Sequence, residues 1–412
     1  MALRSVAKSV LLLALGCVLV AGPRFAAAQE AGETSVNFQI GFVSLQNDPR
    51  QSPGRVYYQI PVVPLGPAIS GAEVAIIDSL FVGREIGVTF TLESVQSDAI
   101  DELAGAVTAW AAEGIRFVIA DLPAEDLITL ADAVSATPVT IFNASAADDI
   151  LRGQSCRINV IHSIPSQRML TDSAAQFLAD RRWERVLMLR GPDEDDHKIA
   201  DAFVESARIA DLDIVDIRDF TISDPRTPFA SPVALLTAGV DYDVVFVADA
   251  EGEFASTVPG RTREARPVIG TAGLVPLAWH WAWERAGAPQ LNARFEIHAG
   301  RRMGSADWAA WVSVRAIVQA VVRVGTVADE SAAPSNVNSA DLLAFILSDG
   351  LNLDGAKGTP LTIREWDHQL RQPLMVATSN NVVERAPLEG FVHPINDLDT
   401  LGVGGARTNC TF

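Results

Sequence analysis

Three acidic stretches hold the residues whose types and spacing could do chemistry. In "GPDEDDHK", Asp193, Glu194, Asp195 and Asp196 stand side by side. In "DAEGE", Asp249, Glu251 and Glu253 alternate with small residues, and Asp121 opens "DLPAED". Carboxylates arriving from several loops suit a hard cation, which takes many oxygen ligands. They suit an organic amine or a metal chelate almost as well. Each stretch also has a plainer use: Pro192 and the acids after it fit the first turn of a helix, where the macrodipole favours negative charge. The run lacks the alternating ligands and central glycine of an EF-hand loop. At most one or two of its carboxylates, Asp193 or Glu194, are expected to point at a ligand.

Catalytic signatures are missing. The chain has no G-x-S-x-G, H-E-x-x-H or phosphate-cradling Walker loop. The glycines of "LGVGGA" (401–406) lack a strand–helix context, and His162, His197, His280, His298, His368 and His393 show no ligand spacing. The residues therefore point to binding without catalysis and without a cofactor. "WHWAWER" (279–285) sets Trp279 and Trp283 four apart, one face of an expected helix, as core packing or a ligand-stacking wall.

The elements that must position these residues alternate. Apolar runs at 37–45, "VTFTLESV", "RFVIA" and "PVTIFNAS" read as strands. Between them, 69–83, "AIDELAGAVTAWAAEG" and "PAEDLITLADAVSA" carry helical spacing. A second series begins at "INVIHS" and continues through "RVLML", "DIVDIRDF", "DVVFVA" and "PVIGTAG". Long helices follow at 306–325 and in "SADLLAFILSDG", separated by a Ser/Pro/Asn-rich loop, "ADESAAPSNVNSA". Strand–helix alternation with unbroken Val/Ile runs is the mark of parallel sheets covered on both faces.

The first 28 residues read as an export signal: Arg4 and Lys8, an apolar stretch from Val10 to Ala21, then small residues at Ala26–Ala28. Cys17 lies inside that stretch, and Ala14 is a poor start for a lipid-attachment motif, so a cleaved leader is the better reading. With 51 acidic against 32 basic residues, the net charge is −19, a surface that repels nucleic acid and anionic lipid. Two cysteines follow the leader, Cys156 and Cys410. An even count in an oxidising compartment favours a disulfide, with two buried free thiols as the alternative.

"GAEVAIIDSLFVGREIGVTFTLESVQSD", "RFVIADLPAEDLITL" and "SADWAAWVSVRAIVQAVVRVG" resemble type I periplasmic solute-binding proteins of ABC transporters, the Leu/Ile/Val-binding class. "GLVPLAWHWAWE", "KGTPLTIREWDHQLRQPLMVAT" and "EGFVHPINDLDTLG" are similar to a subgroup accompanying PQQ-dependent alcohol dehydrogenases, some of whose systems are associated with lanthanide uptake. The resemblance implies an α/β fold of two Rossmann-like lobes joined by a three-crossing hinge. It implies a monomeric periplasmic receptor that hands its ligand to an inner-membrane permease. A small organic solute receptor, or a sensor or accessory protein of the dehydrogenase system, are the competing readings.

On that pattern residues 29–158 and 276–352 form the first lobe, 159–275 and 353–395 the second, and 396–412 a tail. In such sheets ligands bind beyond the carboxyl ends of the strands. The resemblance thus selects Ser44, Gln46, Asp48, Asp121, Asn143 and Ser145 in the first lobe, and Asp193, Glu194, Asp249, Glu251 and Thr271 in the second. Asp121 stands where amino-acid binders of the class place hydroxyls, and would repel an α-carboxylate. Asp121, Asp249 and Glu251 are accordingly the candidate metal ligands. Cys156 falls near the hinge, where a bridge to Cys410 would pin the tail and leave the cleft untouched. By chain entropy it would contribute about 4 kcal/mol or less.

Overall fold

The structure, a computed structural model, describes residues 35–51, 56–57, 60–61, 66–221, 232–327 and 338–412. The leader and most of the Ser/Pro/Asn-rich loop lie outside the described residues. The chain opens with β1 (Val36–Ser44), a short antiparallel pair β2 (Val56–Tyr57) and β3 (Ile60–Pro61), α1 (Ile69–Asp78) and α2 (Leu80–Glu85). β4 (Val88–Gln96), α3 (Ile100–Glu113), β5 (Phe117–Asp121), α4 (Ala124–Ala133), β6 (Thr140–Asn143) and β7 (Val160–His162) follow. Five of these strands form a parallel sheet in the order β4-β1-β5-β6-β7. Alternate residues of β5 serve opposite cores. Phe117 and Ile119 pack in the core under the later helix Ser305–Val327, and Val118 and Ala120 pack in the core with α3 and α4. That two-sided burial explains why the strand reads as a continuous apolar run.

The second lobe repeats the logic. α5 (Gln167–Asp180), β8 (Arg185–Arg190), α6 (Glu194–Ile209), β9 (Asp213–Asp219), α7 (Val233–Leu236), β10 (Val244–Ala248) and β11 (Val268–Gly270) build a parallel sheet, β11-β10-β8-β9. β12 (Val275–Leu277) then leads back to the first lobe. There α8 (Ala288–Ala299), α9 (Ser305–Val327) and α10 (Ser339–Ile346) complete the core around Trp308, Phe295 and Phe42. A hairpin, β13 (Leu353–Asp354) with β14 (Pro360–Leu361), precedes β15 (Leu374–Ala377) and β16 (Val382–Ala386), which join β12 in an antiparallel sheet.

Four expectations change. The helix over 69–83 is two helices: the Ser79 hydroxyl donates to the Ala75 carbonyl at 2.7 Å, competing with the helical ladder at that point. Residues 279–285 are not helical. They turn at His280, whose carbonyl accepts from the Trp283 amide, so Trp279 and Trp283 do not share a helix face. Trp279 packs in the core, stacked on Trp308 at 6.2 Å. β7 belongs to the first sheet, so that sheet runs to His162, past the expected boundary at 158. Leu353, Leu361, Ile363 and Leu370 pack in the first-lobe core, not the second, because the β13–β14 hairpin lies against α9.

The hinge is a buried polar lattice. β7 is paired with residues 368–370, His162 donating to the His368 carbonyl and Leu370 to the His162 carbonyl, both at 2.9 Å. The Gln369 amide donates to the carbonyls of His162 and Ile164 and accepts from Arg152. Gln372 donates to the Ser163 carbonyl and accepts from buried Lys357. Asp399, near the C-terminus, accepts from Arg364 at 2.9 Å and Arg371 at 2.8 Å. The Asp399 and Arg364 side chains are each 1% exposed. Removing the carboxylate would strand two guanidiniums, so Asp399→Ala is expected to lose about 3–5 kcal/mol in urea unfolding.

Burial lowers the pKa of His162 well below its ordinary value, with the charges of Arg152 and His368 adding to the effect. Burial also lowers His368 and His280. A histidine with a depressed folded pKa binds its proton more readily when unfolded. Stability should therefore fall as pH drops below about 6.5, by up to ~1.4 kcal/mol per pH unit for each such group. Unfolding titrations at pH 7 and pH 5 should show this slope, shallower in His162→Gln.

Candidate functional site

At the carboxyl end of the first sheet, one guanidinium gathers the side chains that loop position alone singled out. After β1 the chain makes a short turn over Pro49–Gln51 that brings Arg50 back over β5. Arg50 Nε lies 2.9 Å from Asp48 Oδ2, Nη2 lies 3.0 Å from Asp121 Oδ1, and Nη1 donates to Ser145 Oγ at 3.0 Å. The second Asp121 oxygen accepts from the Ala68 amide at 3.2 Å and from Gln51 at 3.4 Å. Both carboxylates are buried, while the Arg50 side chain is 36% exposed. Burial works against the Arg50 charge. The hydrogen bonds and charges of Asp48 and Asp121 outweigh that and raise its pKa. In the adjacent first turn of α4, burial and the neighbouring Glu125 push the Asp126 carboxyl up.

Ser44 Oγ accepts from Gln96 at 3.1 Å, and Gln46 is exposed beside it. Asn143 is fully buried and satisfied by its own loop and by His162 of β7. Its oxygen accepts from the Ser145 and Ala146 amides, and its nitrogen meets the Ala146 carbonyl and His162 Nδ1. It shapes the loop rather than offering a free donor.

In the second lobe "GPDEDDHK" resolves into separate roles. Asp193 caps α6 and forms a capping box with Asp196. Asp196 is the buried member: Oδ1 accepts from the Ala250 amide at 2.6 Å and Oδ2 from the Asp193 amide at 3.1 Å, tying the start of α6 to the loop after β10. A side chain at Gly191 would collide with this carboxylate. Glu194 and Asp195 are exposed partners of Lys198, at 3.2 and 2.9 Å. Asp249 accepts from the Gly252 amide at 3.1 Å and the Ala255 amide at 2.7 Å, bracing its own loop. Burial, with the Asp196 charge adding, raises its pKa. Thr271 donates to the Val247 carbonyl at 3.2 Å, and Glu251 is exposed.

Across the lobes, Lys198 of α6 reaches Asp148, in the loop after β6, at 3.4 Å. The two carboxyl-end surfaces thus meet. Arg50, Asp148, Asp196 and Lys198 escaped sequence reasoning. Arg50 stands two residues past the loop boundary taken from β1, Asp196 needed the loop after β10 folded onto α6, and Asp148 and Lys198 needed the lobes in place.

Two of the three candidate metal ligands, Asp121 and Asp249, have protein partners in this structure. Asp121 is occupied by Arg50, Ala68 and Gln51, and Asp249 by amides of its own loop. Among the described residues no three His, Cys, Asp or Glu side chains gather as a metal site. Among them, too, no helix is long and apolar enough to cross a membrane.

Solved structures place the architecture. A Brucella ovis protein binding leucine, isoleucine, valine, threonine and alanine, in its closed conformation, superposes with a TM-score of 0.65 at 14% identity, covering 83% of this chain and 89% of that one. A branched-chain amino acid ABC transporter ligand-binding protein from Burkholderia xenovorans gives 0.65 at 14%, covering 85% and 95%. The chain has the type I periplasmic binding-protein fold. An R. palustris solute-binding protein in complex with benzoate matches at 0.61 and 13% identity, over 91% of this chain and 100% of that one. No family model matches the sequence, and no curated protein matches it.

The Arg50 cluster lies at the carboxyl ends of β1 and β5. Arg50→Gln leaves two buried carboxylates without their cation. A loss of about 1–3 kcal/mol is expected in denaturant unfolding, part of it recovered when Asp121→Asn is added, which removes one stranded charge.

Proposed function

We propose that the chain is the solute-binding component of an ABC transporter, exported to the periplasm, closing on a small ligand and presenting it to an inner-membrane permease. The observation that carries this reading is the Asp148–Lys198 contact. It joins the carboxyl-end surfaces of two separately cored sheets, the arrangement a closing cleft needs. Closure is a hinge motion that a ligand drives only by preferring the closed state. The fold neighbours include receptors for branched-chain amino acids and benzoate.

For the ligand itself we favour a cationic or amine-bearing organic solute. Asp48, Asp121 and Asp126 lie around Arg50 on the first lobe, with Glu125 beside Asp126, and Asp193, Asp249 and Glu251 stand in loops of the second. Such a surface disfavours an unaccompanied carboxylate. A lanthanide ion, and the link to PQQ-dependent alcohol oxidation, form a second reading. It rests on the sequence phrases of that subgroup, and an ion would need oxygens brought together by closure. Native mass spectrometry of the co-purifying ligand, then calorimetry against amines, amino acids, benzoate, calcium, lanthanides and PQQ, tests the choice. Asp121→Ala and Glu251→Ala are each expected to weaken binding about tenfold, ~1.4 kcal/mol. Tight binding of a neutral zwitterionic amino acid, unchanged in both variants, would sink the charge argument.

A further inference from the structure

We infer that the C-terminal segment is a covalent strap across the hinge that limits how far the cleft opens. The inference concerns regulation of the proposed binding site and so rests on the receptor reading.

One end of the segment is built into the second lobe. Leu401 packs in the core with Phe177, Phe246 and Val376. The Gly402 amide donates to Asp172 of α5 at 2.7 Å, and Thr400 accepts from Gln176 at 3.2 Å. Gly402 has a positive φ, and a side chain there would press on Met169 and Arg364. The other end is fixed to the first lobe. Cys410 is bonded to Cys156, just ahead of β7, and Thr408 donates to the Arg152 carbonyl at 3.3 Å. The Phe412 ring lies 4.2 Å from that of His368, which pairs with β7.

Between these anchors only residues 403–407 connect the lobes. Trp366 shortens that span further: its indole N–H donates to the Val403 carbonyl, and Gly405 lies on its ring face. Trp366 is itself flanked by Arg364 and Arg371, the two partners of Asp399. The chain crosses between the lobes three times, between β7 and α5, between β12 and α8, and between β14 and β15. The tail is a fourth connection, and the disulfide closes it into a ring through both lobes. Five residues can extend to roughly 17 Å, so the strap permits a range of opening and sets its limit. The bridge lies outside the cleft, yet it acts on cleft opening, contrary to the expectation that it leaves binding untouched. Freed from Cys156, the last residues keep only weak contacts with the first lobe. Wider states then become populated, and apparent affinity falls in proportion to the closed-competent fraction.

The test reads lobe separation directly and needs no ligand. Spin labels are attached through bioorthogonal residues at exposed Phe81 of α2 and Leu235 of α7. Pulsed distance measurements then compare the oxidised protein, the same protein in reductant, and Cys410→Ser, with thiol counting to establish the bridge state. A longer-distance population of about 10% or more should appear in the reduced and Cys410→Ser forms and be absent from the oxidised one. Cys156→Ser, which frees the same tail from the other side, should match. Identical distributions in all forms, with the thiols shown to be free, would overturn the strap. Because no ligand enters, a failure of the receptor reading would show separately, as absent binding with the distance change intact.

Discussion

The buried Asp399 carboxylate is the constraint on which the arrangement of lobes depends. It faces Arg364 and Arg371, with Asp367 3.8 Å from Arg364, in a region almost closed to solvent. A buried ion group of this kind adds little net stability against an apolar replacement, but it costs heavily when one member is lost. Its value here is positional. Arg364 also donates to the carbonyls of Leu398 and Leu401, and Arg371 to Thr362 and to the Ile363 carbonyl. One carboxylate thereby fixes the tail, the third crossing and the β14 side of the first lobe in a single register.

That register then organises the amides of Gln369 and Gln372, which reach the carbonyls of the first crossing. The crossings run as bare backbone between two cores, so their polar groups cannot all be met by a sheet ladder. Side chains from a distant part of the sequence supply the missing partners. The hinge is therefore held by directional bonds as well as by the packing of Ile161, Ile164, Ile363 and Leu370 in the first-lobe core.

The parallel sheets were legible because alternation and unbroken Val/Ile runs are local properties: β5, β8 and β10 lie where the pattern puts them. Lobe membership was less legible. β7 and residues 353–370 sit beside sequence that belongs to the other lobe, and only tertiary pairing with β6 and α9 decides their side. The 279–285 turn misled for a similar reason. Trp279 and Trp283 have helical spacing, but backbone and His280 contacts close a turn first. At the site, topology named the right loops, yet the chemistry of Asp121 and Asp249 depended on partners the chain brings from elsewhere. Asp48 was visible as a candidate. Arg50, two residues on, changed what Asp48 and Asp121 can do.

These pairings bear on how closure can work. With Asp48, Asp121, Asp196 and Asp249 already satisfied inside their own lobes, an incoming ligand meets few naked charges in either half. The charge contact between the facing surfaces, Lys198 with Asp148, joins side chains 47% and 28% exposed. Such a pair contributes at most about 1 kcal/mol and less in salt. It can bias the lobes toward contact without locking them. The preference for the closed state must then come from groups that a ligand engages on both lobes at once. That makes selectivity a property of the closed geometry, and gives any restraint on opening direct influence over affinity.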